Sequence, residues 1–93
     1  MIASFRDKAA ATIWEGRRSR RLRGDIQAAA LRKLRLLNAA QSLADLRVPP
    51  ANRLEALRGD RRGQHSIRIN DQWRICLIWR EGRAHEVESV DYH

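Results

Sequence analysis

The amino-acid sequence predicts an α+β fold, with an N-terminal strand and two helices packed on one face of a curved, mainly antiparallel sheet of four to five strands. Apolar residues recur at helical spacing through the first half of the chain. After Pro49-Pro50 they alternate with polar residues, as in strands buried on one side. With 93 residues, 43% of them hydrophobic, the chain can form one modest core, so a single domain over residues 1–93 is expected.

The first half is predicted to contain a short strand and two helices. Residues 2–5 suit a strand, and Asp7 is the predicted N-cap of a helix that ends before Gly16. Asp25 is the predicted N-cap of the longest helix. A capping box over residues 42–45 predicts one further turn before the prolines. The buried stripe of the long helix is expected to consist of Ile26, Ala30, Leu34 and Leu37.

The second half is predicted to be an antiparallel meander. Asn70-Asp71 is the expected two-residue hairpin turn, and Glu81-Gly82 is the next turn. Arg74 is expected on the sheet face turned away from the helices, and an open face with a central arginine favours a binding surface. The helix-facing side is expected to carry Trp73, Ile75, Leu77 and Trp79. The alternating pattern indicates strands over residues 53–57, 65–69, 72–79 and 84–90.

The charge balance predicts an anionic partner. Lysine and arginine total 19 against 11 acids, which gives a net charge of +8, and only Lys8 and Lys33 are lysines. Nucleic acid is the first expectation, ahead of an acidic protein or a membrane surface, because arginine binds phosphate bidentately and stacks on bases. A GC-rich genome would also raise the arginine content, so the positions of the arginines carry the argument.

Cysteine and histidine usage excludes several classes of site. Cys76 is alone, so no disulfide is expected and a reducing compartment is compatible. The three histidines lack partners at ligand spacing, so no metal or cofactor is expected. No apolar run is long enough for a membrane span and no secretory segment is recognisable, so the expected location is the cytoplasm.

The C-terminal residues Asp91, Tyr92 and His93 follow directly on the last predicted strand. Cleavage of RNA by its own ribose hydroxyl requires a base, an acid and cations that hold the charge building on the phosphate. Asp91 and His93 are candidates for the base and the acid, and Arg74 and Arg58 for the cations. Tyr92 can stack on a base. This chemistry requires no metal.

Each of these residues also has a simpler interpretation. Arg74 can pair with Glu86 or Glu88 across the sheet, and Arg58 can be an ordinary surface charge. Asp91 can serve only as a cap or an ion-pair partner. The terminal residues of a domain commonly fray, and His93 is the last of them.

Three segments of the chain form a recognisable set, namely NRLEALRGD at residues 52–60, SIRINDQWRI at 66–75 and VDYH at 90–93. Together they resemble the HigB toxins of the RelE/ParE superfamily, also called plasmid maintenance system killer proteins. The resemblance covers essentially the whole chain and is strongest from residue 52 onwards. It implies a RelE-like fold and an mRNA interferase that cuts codons in the ribosomal A site, leaving a cyclic phosphate and a free 5′-hydroxyl.

The resemblance also assigns catalytic positions and partners. The catalytic positions of the family fall on Arg58, Arg74, Asp91, Tyr92 and His93. The implied partners are the ribosome with its mRNA and a HigA-like helix-turn-helix antitoxin, through which the complex would bind operator DNA. No membrane partner is implied.

Glu55 departs from one branch of the family, which has a histidine there. A carboxylate can be a base, so Glu55 stays among the catalytic candidates. It also repels phosphate, so a weaker toxin is expected.

An arginine-rich run at residues 17–23 is a second candidate surface. Such a run is most often a solvated loop or helix face, and its alternative role is an electrostatic surface for an anionic partner. With ribosomal RNA as that partner, binding would depend strongly on salt. The candidate RNA-binding residues, besides Tyr92, are Arg17, Arg18, Arg20, Arg21, Arg61 and Arg62.

Two other functions are compatible with the same composition. One is a ParE-like protein that inhibits DNA gyrase by binding alone, but inhibition by binding would not need Arg58, Arg74, Asp91 and His93 together. The other is a basic nucleic-acid-binding module, although no helix recognisable as a reading helix is present in the sequence.

Overall fold

The computed structural model describes residues 1–92 and confirms the α+β fold. Two α-helices precede a four-stranded antiparallel sheet in the strand order β1-β2-β3-β4. Short 3₁₀ turns at Leu43–Arg47, Pro50–Asn52 and Gly59–Arg61 connect these elements. The helices are α1 (Lys8–Trp14) and α2 (Gly24–Ala39), and the strands are β1 (Glu55–Ala56), β2 (His65–Arg68), β3 (Trp73–Arg80) and β4 (Arg83–Asp91).

Helix α1 begins and ends as predicted. The Asp7 carboxylate accepts a hydrogen bond from the Ala10 N–H at 2.9 Å, which satisfies one of the free donors of the first turn. After the helix, Gly16 has a φ of +81°, a conformation that glycine adopts without steric cost. The capping box at residues 42–45 is also formed.

The predicted N-cap of α2 is wrong by two residues. Arg23 occupies the N-cap position and Asp25 lies inside the first turn. The Gln27 side chain accepts from the Ser19 N–H and donates to the Leu22 carbonyl, so it fixes the preceding loop and the chain is already helical at Gly24. The predicted stripe of Ile26, Ala30, Leu34 and Leu37 is buried, as expected.

The N-terminal segment runs beside β4 but is not a regular strand. It forms isolated parallel bridges between Ile2 and Ala84 and between Phe5 and Val87. Between them, Glu86 has a φ of +49° and its N–H donates to the Ser4 hydroxyl at 2.9 Å. This irregularity in β4 interrupts the ladder, so the sheet has four regular strands within residues 1–92.

Strand β1 is shorter than predicted. Residues 53–57 were expected to be extended, but only Glu55 and Ala56 pair with β2. Arg53 has a left-handed backbone, with φ +45° and ψ +57°, directly after the 3₁₀ turn Pro50–Asn52. The local turn therefore delays the start of the strand.

The turn between β2 and β3 contains more than the two predicted residues. The Ile69 N–H donates to the Trp73 carbonyl at 2.9 Å, so three residues form the turn. The Asn70 side-chain oxygen accepts from the N–H groups of both Gln72 and Trp73. This Asx-type capping stabilises the longer turn. The second turn is as predicted, since Glu81 and Gly82 both have positive φ.

The two helices pack on one face of the sheet. The α2 stripe meets β-strand residues in a single core, in which Trp73, Ile75 and Leu77 are at most 7% exposed, as predicted. Trp79 packs against the edge of this core and is partly buried. Within residues 1–92, neither helix is long and apolar enough to cross a membrane.

The other sheet face is polar, and it is less open than predicted. Its central row runs across the strands, with Glu55 opposite Ser66, Ser66 opposite Cys76 and Cys76 opposite Glu88. Arg74 projects on the same side, two residues from Cys76. We call these five side chains the polar face. Arg74 is only 9% exposed and Cys76 is fully buried, because neighbouring side chains and the chain segment after β4 cover them.

Candidate active site

Arg74 is the centre of the polar face. Its Nε donates to Ser66 Oγ at 2.8 Å, and its Nη2 donates to the backbone carbonyl of Arg53 at 2.5 Å. Nη2 also lies 4.0 Å from Glu55 Oε1. A guanidinium stays charged in proteins, so its burial requires acceptors of this kind. These contacts fix the plane of the guanidinium relative to β1 and β2.

The simpler interpretation of Arg74, as an arginine paired with Glu86 or Glu88 across the sheet, is wrong. Within residues 1–92, it forms no ion pair with Glu86 or Glu88. Glu88 instead pairs with Arg6 and Arg61, each at 3.5 Å. The carboxylate of Glu88 is therefore engaged on the far side of the polar face.

A cleft of about 320 Å³ opens beside Arg74. Two acids in its wall are each paired with an arginine, Asp71 with Arg68 and Glu55 with Arg74. Arg53 is the third arginine of the wall, so the lining carries a net charge of +1. Such a cleft suits an anionic group of the size of a phosphodiester. Its lining consists of Arg53, Glu55, Arg68, Asn70, Asp71, Arg74 and Tyr92.

Sequence reasoning did not single out Arg53 and Arg68 as site residues. For Arg68 a signal was present, because the period of two in β2 places it on the same side as Ser66. For Arg53 no such signal existed, since its position follows from the left-handed backbone at the start of β1.

Tyr92 lies on the same cleft. Its ring centre is 5.7 Å from Arg74 Cζ, and its hydroxyl is 4.0 Å from Cys76 Sγ. Its N–H donates to the Gln72 carbonyl at 2.7 Å, which anchors the chain just beyond β4. Burial, followed by the neighbouring Cys76, raises the pKa of the phenol. The hydroxyl therefore remains protonated at neutral pH, which suits a stacking ring or a hydrogen-bond donor and not a base.

Asp91 lies at the end of β4, opposite Trp73 in the strand register. Trp73 belongs to the helix-facing side, so the register places Asp91 on the side of the sheet opposite to Arg74. Its Oδ2 accepts from Gln72 Nε2 at 3.1 Å. The predicted acid or base His93 lies outside the described residues, and the roles of both residues stay predictions.

The remaining candidate cations lie around this site. Arg58 is exposed just before the turn Gly59–Arg61, does not line the cleft and makes no ion pair within residues 1–92. Arg61 pairs with Glu88, and Arg62 is exposed. The structure therefore brings together Arg74, Glu55 and Tyr92, while Arg58 lies outside the cleft wall.

The arginine-rich run forms an exposed loop between α1 and α2. Ser19 and Leu22 are buried and hold the loop against the protein. Arg21 pairs with Asp7 at 3.6 Å and lies 5.4 Å from the centre of the Trp73 ring, so it has a structural contact. Within residues 1–92, the exposed arginines of the loop that form no ion pair are Arg17, Arg18 and Arg20.

Within residues 1–92, no group of three or more histidine, cysteine or acidic side chains is arranged to hold a metal ion. The chemistry of the cleft is that of arginines, carboxylates and a phenol.

Comparison with known proteins identifies the family. The model of the HigB-like toxins, described as the RelE-like toxin of type II toxin–antitoxin system HigB, matches residues 3–93. The chain is 42% identical over 85 residues to Toxin HigB-1 of Vibrio cholerae serotype O1, and the match covers 90% of each protein. It is also 45% identical over 49 residues to an uncharacterized protein of Haemophilus influenzae, across 53% of this chain and 46% of that protein.

These matches confirm the resemblance to the HigB toxins. The family match spans nearly the whole sequence, including both helices, the four strands and the cleft residues. Membership of a type II system implies that the toxin has an antitoxin partner. The chain thus belongs to the HigB-like family, the RelE-like toxins of type II toxin–antitoxin systems.

Proposed function

We propose that this toxin is an endoribonuclease that cleaves mRNA in the ribosomal A site by metal-free attack of a ribose 2′-hydroxyl. The observation that supports it most is the setting of Arg74. A buried guanidinium is held by Ser66 and the Arg53 carbonyl at the wall of a cationic cleft, with the Tyr92 ring beside it. Fixed charges of this kind stabilise a transition state without reorganising during the reaction.

In the proposed reaction the 2′-oxygen attacks the adjacent phosphorus and the bond from phosphorus to O5′ breaks. The products are a 2′,3′-cyclic phosphate and a 5′-hydroxyl. A base takes the proton of the 2′-hydroxyl, and an acid gives a proton to the departing O5′. Arg74, with Arg68 and Arg53 in the same wall, balances the charge that accumulates on the phosphoryl oxygens.

The base and the acid come from Glu55, Asp91 and His93 in this proposal. Glu55 lies in the wall of the cleft, 4.0 Å from Arg74, which favours it for proton transfer close to the phosphate. Asp91 is held by Gln72 at the end of β4 and would need to turn towards the cleft. Tyr92 would stack on a splayed base or donate a hydrogen bond to the phosphate.

The proposal extends to the partners. The net charge of +8 and the exposed Arg17, Arg18, Arg20, Arg58 and Arg62 suit binding to the ribosome and its RNA. The antitoxin is proposed to be HigA-like, with a helix-turn-helix that brings the complex to operator DNA. Activity on ribosome-bound mRNA would take place in the cytoplasm.

Induction of the chain without an antitoxin tests this function. We expect growth arrest with new mRNA 5′ ends at a fixed position within codons, and these ends should carry a hydroxyl. Intact mRNA accompanied by DNA breaks would instead indicate inhibition of gyrase. Intact mRNA together with intact DNA would contradict both mRNA cleavage and inhibition of gyrase.

A further inference from the structure

The orientation of Arg74 depends on the backbone of Arg53. The Arg53 carbonyl reaches Arg74 Nη2 because Arg53 adopts a left-handed conformation, with φ +45° and ψ +57°. A non-glycine residue in this region costs roughly 1–2 kcal/mol, so the surrounding structure must hold it there. The contacts that hold Arg53 therefore bear on the position of the guanidinium.

Asn52 is the residue that fixes this backbone. It is fully buried although its side chain is polar. Its Nδ2 donates to the carbonyls of Leu46 and Val48 at 3.1 and 3.3 Å, so it closes the connection between two 3₁₀ turns. Each of these carbonyls would lose a partner in a variant that lacked the amide. Asn52 thus determines where the next residue, Arg53, can place its own carbonyl.

Lys33 fastens this arrangement to helix α2. Its Nζ donates to Asn52 Oδ1 at 2.5 Å. Burial, together with the charges of Arg32 and Arg68, lowers the pKa of Lys33. The lysine therefore occupies a site that disfavours its charge, and the hydrogen bond to Asn52 is the favourable contact it makes there.

We propose that Lys33 and Asn52 are positioning residues for Arg74. They hold the Arg53 carbonyl against the guanidinium from one side, while Ser66 Oγ accepts from Nε on the other. The chain of contacts begins at Lys33 on α2, on the helix-covered face of the sheet, and ends at the cleft on the polar face. Its catalytic consequence rests on the proposed endoribonuclease function, but its effect on the guanidinium does not.

A purely structural role for Lys33 would give a different pattern of effects. Loss of a stabilising contact lowers the melting temperature but leaves the folded molecules equally active. Loss of positioning lowers the rate of the chemical step while RNA affinity is retained, because a small displacement of a catalytic group weakens transition-state contacts. The mobility of the Arg74 side chain separates the two directly.

The test uses Lys33→Met, which keeps the aliphatic stem and removes the donor. Lys8→Met is the matched control, since Lys8 is the other lysine of the chain and is exposed on α1. Lys33→Arg keeps a cationic hydrogen-bond donor at this position, so its cleavage rate and its exchange at Arg74 Nε–H should stay close to those of the wild type. Two quantities are measured in the folded variants. The first is the single-turnover cleavage rate of ribosome-bound mRNA with its apparent Kd, and the second is hydrogen exchange at Arg74 Nε–H, assigned by its loss in Arg74→Lys.

The expected result for Lys33→Met is a cleavage rate lowered roughly tenfold at unchanged Kd, with faster exchange at Arg74 Nε–H. Lys8→Met should match the wild type in both. Unchanged exchange at Arg74 Nε–H in Lys33→Met would overturn the positioning role, whatever happens to the rate. A wild-type protein that cleaves no RNA would refute the proposed function, and the exchange measurement would still decide the role of Lys33.

Discussion

The guanidinium of Arg74 lies over the ring of Tyr92, with Cζ 5.7 Å from the ring centre. This contact joins the middle of the sheet to the segment that follows its last strand. A cation over an aromatic face is attracted by the ring quadrupole, more strongly where water is excluded. Tyr92 nevertheless remains 44% exposed, so part of the residue is accessible from solvent.

The Tyr92 ring is expected to contribute to RNA affinity through stacking. Tyr92→Ala should weaken binding of ribosome-bound mRNA by roughly tenfold or more, because stacking of one base on an aromatic ring is worth about 1–3 kcal/mol. Tyr92→Phe is the matched control, as it keeps the ring and should keep most of the affinity. Apparent Kd values from single-turnover titrations give the comparison. Equal losses in both variants would assign the effect to the hydroxyl.

The Cys76 thiol is expected to be protected by Tyr92. Cys76 is fully buried, and burial raises the pKa of its thiol, with the Tyr92 hydroxyl 4.0 Å away. Only the thiolate reacts, so alkylation of the native protein should be slow. Tyr92→Ala should accelerate it, while Tyr92→Phe should not. Alkylation rates are followed by mass spectrometry, and the denatured protein gives the upper limit. Rapid alkylation of the native wild type would mean that Tyr92 does not cover this site.

Sequence periodicity was sufficient for the core but not for the cleft. The core-facing residues of helix α2 and strand β3 were predicted correctly because their apolar residues recur with the period of a helix and of a strand. The burial of Arg74 and Cys76 on the other side of β3 was not predicted. The left-handed Arg53, the longer turn at Asn70 and the irregular edge at Glu86 depend on single side-chain hydrogen bonds or local backbone conformations. Such features leave no periodic signal, so the arginine pairings around the cleft could not be predicted.

In the C-terminal segment, too, one feature could be predicted from the sequence and another could not. Its importance was predicted from residue types that follow a strand, and Tyr92 does lie beside Arg74. The alternation along β4 separates neighbouring residues, so Asp91 takes the opposite side of the sheet. Residue identity alone did not indicate that Asp91 and Tyr92 point to different sides of the sheet.

Glu55 is expected to contribute less to cleavage than Arg74. Its carboxylate belongs to the cleft wall and can take part in proton transfer, but it also repels phosphate. Glu55→Gln keeps the shape and removes the charge, so RNA affinity should rise slightly while the cleavage rate falls by less than in Arg74→Ala. Rates are measured on the same ribosomal complex. A larger loss in Glu55→Gln than in Arg74→Ala would make Glu55 the principal catalytic group.

The exposed arginines of the loop between α1 and α2 are expected to bind RNA phosphates. Arg17→Gln with Arg20→Gln should lower the slope of log affinity against log salt by about 1 for each lost phosphate contact. Arg80→Gln with Arg83→Gln is the matched control, since it removes two exposed arginines that flank the turn between β3 and β4. Ribosome binding is measured over a range of salt concentrations. Equal changes in both double variants would show a general charge effect and no specific role for the loop.

The most direct measurement of the central claim is the cleavage rate of mRNA in a defined ribosomal complex by wild-type protein and Arg74→Ala. The wild type should produce a cyclic phosphate and a 5′-hydroxyl at one position in the A-site codon, without added metal beyond what the ribosome requires. Arg74→Ala should lose at least roughly a hundredfold in rate while it remains folded, as expected for removal of a fixed charge at the transition state. Folded Arg74→Ala that cleaves at the wild-type rate would contradict the account.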